Sequence, residues 1–127
     1  MAKKFTIKCE LCDLNTYMNA ERRNRFLAAK IKKEETERVA WSARAARLLS
    51  LFGDEYPVRI KYRWYSKDMR KDTDNVAFAK KFVNDGLVMA GILENDSRKF
   101  VSGFSDEFFV DKENPRVEVE IISVLTT

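Results

Sequence analysis

The chain has 127 residues, of which 45% are hydrophobic, 24 are Lys or Arg, 20 are Asp or Glu, and none is His. This length suits one domain with a single modest core, so we expect residues 1–127 to form one domain. The lack of histidine excludes Ser–His and Cys–His nucleophile pairs and every His-ligated metal site. No apolar stretch approaches the roughly 18 residues of a membrane span, and the first residues do not resemble a signal peptide. We therefore expect a cytoplasmic protein with no membrane partner.

The charge is distributed unevenly along the chain. Residues 1–71 contain 18 Lys or Arg and 9 Asp or Glu, whereas residues 72–127 contain 6 and 11. A basic half beside an acidic half suits a protein that binds a polyanion and holds cations next to it. An ordinary solvated surface explains the same distribution, so charge alone does not decide between the two.

The two cysteines form one C-x-x-C pair, Cys9 and Cys12. There is no second pair and no histidine to complete a zinc site. Cys9 also continues the alternation of Phe5 and Ile7, which favours a buried structural thiol over a redox or metal-binding one.

The first half of the chain predicts one strand and then a long basic helical region. Apolar and polar residues alternate over 4–10, which indicates a half-buried strand, and residues 13–19 have the composition of a loop. The composition is helical over 20–52, with Asn19 as the candidate N-cap and a glycine after the last turn. Its only interruption is the charged run 32–37.

The second half predicts strands on either side of a shorter helix. Alternation over 58–65 indicates a strand with one buried face; its other face carries the cations Arg59, Lys61 and Arg63. A charged loop over 66–73 precedes a helix over 75–90 that ends before Gly91. Residues 98–110 indicate a strand pair or a bulged strand broken near Gly103, and residues 117–121 the last strand. We therefore expect an α+β fold with a small mixed sheet, one long basic helical region and a second helix.

Two carboxylates lie between the basic strand and the second helix, in the sequence Asp72-Thr73-Asp74-Asn75. In an extended segment both carboxylates point the same way, so they can converge on one hard cation such as Mg²⁺. Such an ion can activate water and neutralise charge on a phosphodiester. Taken alone, the pattern is more often a helix cap.

The residues that follow resemble the RusA family of Holliday junction resolvases. The resemblance is carried by Asp72-Thr73-Asp74-Asn75, Lys80-Lys81, Asn84-Asp85-Gly86-Leu87, Ala90-Gly91-Ile92 and Asn95-Asp96. Asn15-Thr16-Tyr17 resembles the N-x-Y segment of the family, and the tail from Phe108 to Glu118 looks like that of prophage-type members from Gram-positive bacteria. The resemblance extends over nearly the whole chain and is most specific over 72–96.

The resemblance implies a homodimeric RusA-like fold and a metal-dependent endonuclease that resolves Holliday junctions and related branched DNA. It implies that Asp72, Asp74 and Asp96 bind the metal, either Mg²⁺ or Mn²⁺. It also implies a catalytic lysine, which we assign to Lys81, with Lys80 as the alternative. The lysine of the family follows the acidic motif more closely than any lysine does here, where that shorter spacing falls on a phenylalanine.

A helix of about 15 residues rises roughly 22 Å, whereas residues 91–96 span at most about 20 Å. Asp96 therefore barely returns to Asp72 and Asp74 of its own chain. Either the helix starts later than Asn75, or Asp96 completes the site of a second subunit.

Basic side chains are the expected contacts to DNA phosphates, with little readout of bases. The candidates are Arg22, Arg23, Lys30, Lys32, Lys33, Arg59, Lys61, Arg63 and Lys71, together with Asn15. Tyr65 and Phe78 are candidate wedges at a junction crossover, although such aromatics are more often core residues. Two rival hypotheses stay open: a branched-DNA-binding protein that does not cut, and an interaction module in which the acidic motif only caps a helix.

Overall fold

The computed structural model describes residues 2–124, with Ala2 described by its backbone only, and it has a mixed α+β fold. Its elements are β1 (Ala2–Ile7), α1 (Leu14–Arg23), α2 (Arg25–Ala45), β2 (Val58–Ser66), α3 (Thr73–Ala77), α4 (Lys80–Met89), β3 (Val101–Val110) and β4 (Arg116–Ser123). A short 3-10 turn, Gly53–Glu55, precedes β2. Within the described range, no helix is both long and apolar enough to cross a membrane.

The four strands form one mixed sheet in the order β1-β4-β2-β3. β4 is antiparallel to β1 and to β2, whereas β2 and β3 are parallel. A parallel pair needs a crossover connection, and α3 and α4 provide it here. β3 is therefore an edge strand, and the segment that connects it to β2 contains the acidic motif.

The core lies between the sheet and the pair α2 and α4. Alternate residues of β2 are buried, as the sequence predicts, and the largest of them are Tyr62 and Trp64. The two helices pack closely at Gly86, where an added Cβ would lie 2.5 Å from the Cβ of Val39. This close approach explains a glycine inside α4, where the helix propensity of glycine is poor.

The predicted loop over 13–19 is wrong, because α1 begins at Leu14. The side chain of Asp13 caps this helix by accepting a hydrogen bond from the backbone N–H of Thr16 at 2.7 Å. The second cap is Asn24 and not Asn19, and it accepts from the N–H of Phe26 at 2.8 Å. The segment is mostly polar, so its composition predicts a loop, although it forms a helix with a narrow apolar face.

The charged run 32–37 does not interrupt α2, which is continuous from Arg25 to Ala45. Ion pairs at helical spacing bracket the run, Lys30 with Glu34 at 4.0 Å and Arg38 with Glu35 at 3.2 Å. The helix ends well before residue 52, and Arg47 then adopts a left-handed φ of 58°. A residue with this left-handed backbone cannot continue a right-handed helix, so α2 does not extend past Arg47.

The predicted helix over 75–90 is two helices, α3 and α4, and Gly91 with φ of 77° follows the second as expected. The longer helix thus starts at Lys80, later than Asn75, which is the first of the two alternatives considered for the return of Asp96. Residues 98–110 contain one bulged strand, because Val58 faces Val101 whereas Arg59 faces Gly103. The guanidinium of Arg59 covers Gly103, where an added Cβ would lie 2.5 Å from Nη1.

Candidate metal and nucleic-acid site

The acidic motif forms the first turn of α3, just beyond the loop that follows β2. Asp72 occupies the N-cap position, and its carbonyl accepts a hydrogen bond from the N–H of Val76 at 3.1 Å. Its exposed carboxylate makes no capping hydrogen bond and no ion pair with any residue from 2 to 124. Within the same residues, the side chain of Asp74 accepts only from the adjacent N–H of Asn75, at 2.9 Å. The side chain of Asp72 therefore does not perform the capping role that its position suggests.

The start of α1 contacts the chain both before and after the two aspartates of the motif. After the motif's aspartates, the side-chain oxygen of Asn75 accepts from the backbone N–H of Asn15 at 2.9 Å. Before them, the ammonium of Lys71 lies 2.8 Å from the carboxylate of Asp13. Asp13 is buried, and burial raises the pKa of its carboxyl, but the hydrogen bonds from Lys71 and Thr16 outweigh burial and lower it overall. The hydrogen bond between Lys71 and Asp13 raises the pKa of the Lys71 ammonium.

Sequence reasoning missed Asp13, because the segment looked like a loop. The available signal was an Asp three residues before Thr16, which is the spacing of an N-cap. Lys71 and Asn15, both predicted DNA contacts, lie beside the acidic motif. The ammonium of Lys71 is already paired, whereas the side chain of Asn15 is exposed.

Lys81 lies close to two carboxylates, those of Asp96 and Asp85. The ammonium of Lys81 is 3.9 Å from the Asp96 carboxylate and 3.3 Å from that of Asp85 one helical turn away. The chain after α4 thus returns Asp96 to the first turn of that helix. This position is beside the predicted catalytic lysine.

Lys80, the alternative lysine, belongs to a different network. Its ammonium is 2.7 Å from a carboxylate oxygen of Asp106, and Trp64 donates its indole N–H to the other oxygen at 2.8 Å. The ammonium also lies 5.4 Å from the ring centroid of Tyr62 and 5.1 Å from that of Phe104. Such contacts anchor α4 to β2 and β3. No local pattern in the sequence indicates Asp106, because its partners are distant along the chain.

Nowhere in the described part of the chain do three Cys, Asp or Glu side chains lie close enough to hold one metal ion. Asp72 and Asp74 belong to one turn of α3, and Asp96 lies beside Lys81 of α4. Carboxylate oxygens are the donors that Mg²⁺ takes, usually with several waters retained. The donor set therefore fits Mg²⁺ or Mn²⁺ in kind.

The predicted row of cations on β2 is largely paired. Glu107 of β3 lies 3.4 Å from Lys61 and 3.1 Å from Arg63, and Arg63 also lies 3.7 Å from Glu120 of β4. The hydrogen bond from Lys61 is the main cause that lowers the pKa of Glu107. This face of the sheet therefore presents alternating charges, since the neighbouring strands bring carboxylates into register with the cations.

The helical cations are more available. Arg22 and Arg23 in the last turn of α1, and Lys32 and Lys33 in α2, are exposed and form no ion pair within residues 2–124. Among the described residues, the sole ion pair of Lys30 is the exposed one with Glu34 at 4.0 Å. These helices therefore offer the strongest unpaired positive charge among the predicted phosphate contacts.

Both candidate wedge residues are packed against neighbours. Tyr65 stacks on Phe109 with ring centroids 4.7 Å apart, and the guanidinium of Arg116 lies 3.7 Å from its ring centroid. Phe78 packs on Tyr17 at 5.5 Å. The ring faces that a crossover would need are largely occupied within the fold.

The cysteines are free thiols. Burial is the main cause that raises the pKa of both, that of Cys12 to about 11. A thiol that stays protonated is a poor nucleophile and a poor metal ligand. The structural interpretation of this pair is therefore favoured.

Comparison with known proteins adds no relative from which a role can be transferred. No protein-family model matches the chain, and no curated protein matches it at a significant level. The resemblance to RusA resolvases therefore depends on the motif residues themselves, and function has to be argued from the geometry.

Proposed function

We propose that the protein is a metal-dependent endonuclease that resolves Holliday junctions and related branched DNA by hydrolysing phosphodiester bonds. The observation that carries this proposal is the carboxylate of Asp72. It lies at a helix cap position, is exposed, and has no hydrogen bond or ion pair within the described residues, while the segment around it is tethered to α1. A carboxylate on an anchored segment that makes no hydrogen bond or ion pair within residues 2–124 is well placed for a ligand from outside the chain.

Asp72, Asp74 and Asp96 would hold the metal. When bound, Mg²⁺ or Mn²⁺ would supply an activated water and neutralise charge at the scissile phosphate. Lys81, whose ammonium lies 3.9 Å from Asp96, would stabilise negative charge on the phosphate or on the leaving oxygen. A flexible ammonium suits this role, because it acts as a compact point charge.

We further propose that the protein acts as a homodimer in which Asp96 of one copy completes the site of the other. Within residues 2–124 of one copy, the three carboxylates do not form a group close enough to hold one metal ion, which supports this arrangement. A four-way junction has approximate two-fold symmetry, and a symmetric dimer supplies two sites related by a dyad. Two opposed strands would then be cut by equivalent sites.

The DNA arms would lie along α1 and α2. Arg22, Arg23, Lys32 and Lys33 are exposed there without ion pairs in the described part of the chain. Four other predicted contacts already have a partner in the fold: Arg59, Lys61, Arg63 and Lys71. They would bind DNA only if a phosphate replaced that partner, which is a carbonyl for Arg59 and a carboxylate for the rest. Phosphate contacts of this kind fix the register of the duplex and carry little sequence specificity.

The test is cleavage of a labelled synthetic four-way junction beside a linear duplex of the same sequence, with Mg²⁺, Mn²⁺ or EDTA. We expect paired nicks in the junction with a divalent metal and none in the duplex or with EDTA. Tight junction binding without cleavage in either metal would support the alternative, a non-cleaving branched-DNA-binding protein. Equal behaviour towards junction and duplex would contradict both.

A further inference from the structure

An apolar cavity of about 290 Å³ lies beside the acidic motif. Its walls come from the 66–71 loop, from α3 and from the end of the edge strand β3, and they include Met69, Val76, Phe108 and Val110. Thr73 also lines it, so the cavity adjoins the residue between the two aspartates of the motif. This volume is near the lower end of the range for sites that take small organic groups.

The apolar side chains of this cavity are unusually exposed. Met69 is 87% exposed, Val110 is 51% exposed and Phe108 is 39% exposed. Within residues 2–124, Phe108 takes part in no aromatic ring pair, in contrast to Phe109, which stacks on Tyr65 at 4.7 Å. An aromatic ring that is accessible at the wall of a cavity is a platform on which a planar group can stack.

A loop rich in cations borders the cavity. Asp68 and Lys71 of this loop line the cavity, and Lys71 is paired with Asp13, whereas Lys67 and Arg70 are exposed beside them. Arg70 is nearly fully exposed and pairs with Asp68 only at 3.7 Å, so its charge is available to an incoming anion. Apolar walls beside a cationic loop are complementary to a nucleotide, whose base is planar and whose phosphates are negative.

From these features we propose that the cavity binds one unpaired nucleobase of a DNA substrate, stacked against Phe108, with its flanking phosphates at the 67–71 loop. The inference deepens the proposed function, on which it rests, because it names a feature of the substrate that the site recognises. Branched DNA carries unpaired or easily unpaired bases at its branch point. A base held here places the adjoining backbone next to Asp72.

A second copy of the chain suits the cavity less well. Two-fold pairing through this surface would bring two cationic loops towards each other, and like charges repel. An oligonucleotide meets no such repulsion. If Phe108 instead mediates association between two copies of the chain, the proposal that the cavity binds a nucleobase is contradicted.

The experiment measures binding of DNA in Ca²⁺, a hard cation with oxygen ligands, with a fluorescent 2-aminopurine at an unpaired position of a flap substrate. Stacking on an aromatic side chain should quench the fluorescence on binding. Loss of one stacked base weakens binding by roughly 5- to 150-fold, so we expect Phe108→Ala to reduce affinity within that range. The matched control is Phe52→Ala, which removes a ring that is 71% exposed in the connection before β2.

Met69→Glu provides a second variant, because Met69 is too exposed to matter for folding. The new carboxylate at the mouth should repel phosphate and weaken binding at least fivefold at low salt. Unchanged affinity and quenching in this variant and in a folded Phe108→Ala would overturn the inference. Loss of self-association in Phe108→Ala, with DNA binding intact, would do the same.

The two proposals fail separately. Quenching that depends on Phe108, in a protein that never cuts any branched DNA, would support the cavity and refute the endonuclease. Metal-dependent cleavage with wild-type affinity in Phe108→Ala would refute the cavity and keep the endonuclease.

Discussion

The ammonium of Lys71 lies 2.8 Å from the carboxylate of Asp13, and this pair joins the residue just before the acidic motif to the first turn of α1. On the other side of the two aspartates, Asn75 accepts a hydrogen bond from the backbone of Asn15 at 2.9 Å. The motif is thus fixed to a helix 60 residues earlier in the chain. A site whose position depends on two such tethers is preorganised before any ligand arrives.

The pair of Asp13 and Lys71 should make stability depend on pH. The pKa of Asp13 is lowered, so its contribution is complete above the unfolded pKa of about 3.9 and is lost as the pH falls through the lower folded value. The pKa of Lys71 is raised, so its contribution is complete below about pH 10.4 and is lost as the pH rises through the folded value. We expect Lys71→Met to reduce the free energy of unfolding by about 1 kcal/mol between those limits, discounted for the partial exposure of Lys71.

Urea denaturation of the wild type and Lys71→Met at a series of pH values measures this difference. Lys67→Met removes an exposed lysine of the same loop and should be neutral at every pH. A difference between wild type and Lys71→Met that stayed constant from pH 7 down to pH 2 would show that the pair does not form.

Gly86 and Gly103 should respond very differently to alanine. At Gly86 the new Cβ would lie 2.5 Å from the Cβ of Val39, which is fully buried and cannot move away. We expect a loss of roughly 1–3 kcal/mol, after the better helix propensity of alanine is counted. At Gly103 the Cβ meets only the tip of the flexible Arg59 side chain, so the loss should be under about 1 kcal/mol. Equal losses in chemical denaturation would contradict the close packing of α2 on α4.

Substitution of Lys80 should lower the stability of the protein, whereas substitution of the neighbouring Lys81 should lower its activity. Lys80→Met leaves the partly buried Asp106 without its ammonium partner and should cost about 1–3 kcal/mol of unfolding free energy. Lys81→Met should stay within about 0.5 kcal/mol of the wild type while it lowers kcat for junction cleavage roughly 100-fold or more. Denaturation and single-turnover cleavage of both variants test this. A folded Lys80→Met protein with the larger loss of kcat would reassign the catalytic lysine.

A mixture of two inactive variants tests whether sites are shared between copies. We expect Asp74→Asn and Asp96→Asn each to abolish cleavage alone. If Asp96 acts across the dimer, a mixed dimer contains one intact site and one doubly altered site, so mixing should restore nicking of one strand of the junction. If Asp96 acts within its own copy, both sites of the mixed dimer are damaged. No recovery after unfolding and refolding the mixture together would therefore place Asp96 with the aspartates of its own chain.

Local patterns predicted the parts of the fold that depend on local physics. The alternation along β2 identified its buried face, because a central strand must bury one set of side chains. Glycine is common just after a helix because it readily adopts a left-handed backbone. Gly91 was therefore predicted to follow the second helix, and it does so with that backbone. The start of α1 was missed, because a single cap at Asp13 decides it while the average composition points to a loop.

Features of the site that depend on pairing between distant elements could not be predicted. The cations of β2 looked like an open basic row, but the register with β3 and β4 places Glu107 and Glu120 beside them. Lys80 and Lys81 are indistinguishable in sequence, and only the position of β3 assigns Lys80 to Asp106. The tethers from Asp13 and Asn15 follow from the packing of α1 against α3, which no local pattern encodes.

The most direct test of the proposed endonuclease is strand-resolved cleavage of a four-way junction in Mg²⁺ by the wild type, Asp72→Asn and Asp54→Asn. Asp54 is an exposed aspartate in the short turn before β2, at the opposite end of that strand from Asp72, and provides the control. We expect paired nicks by the wild type and Asp54→Asn, and none by Asp72→Asn, whose stability should be unchanged because its side chain makes no capping hydrogen bond. Undiminished cleavage by Asp72→Asn, or no cleavage of any branched DNA by the wild type in Mg²⁺ or Mn²⁺, would contradict the proposal.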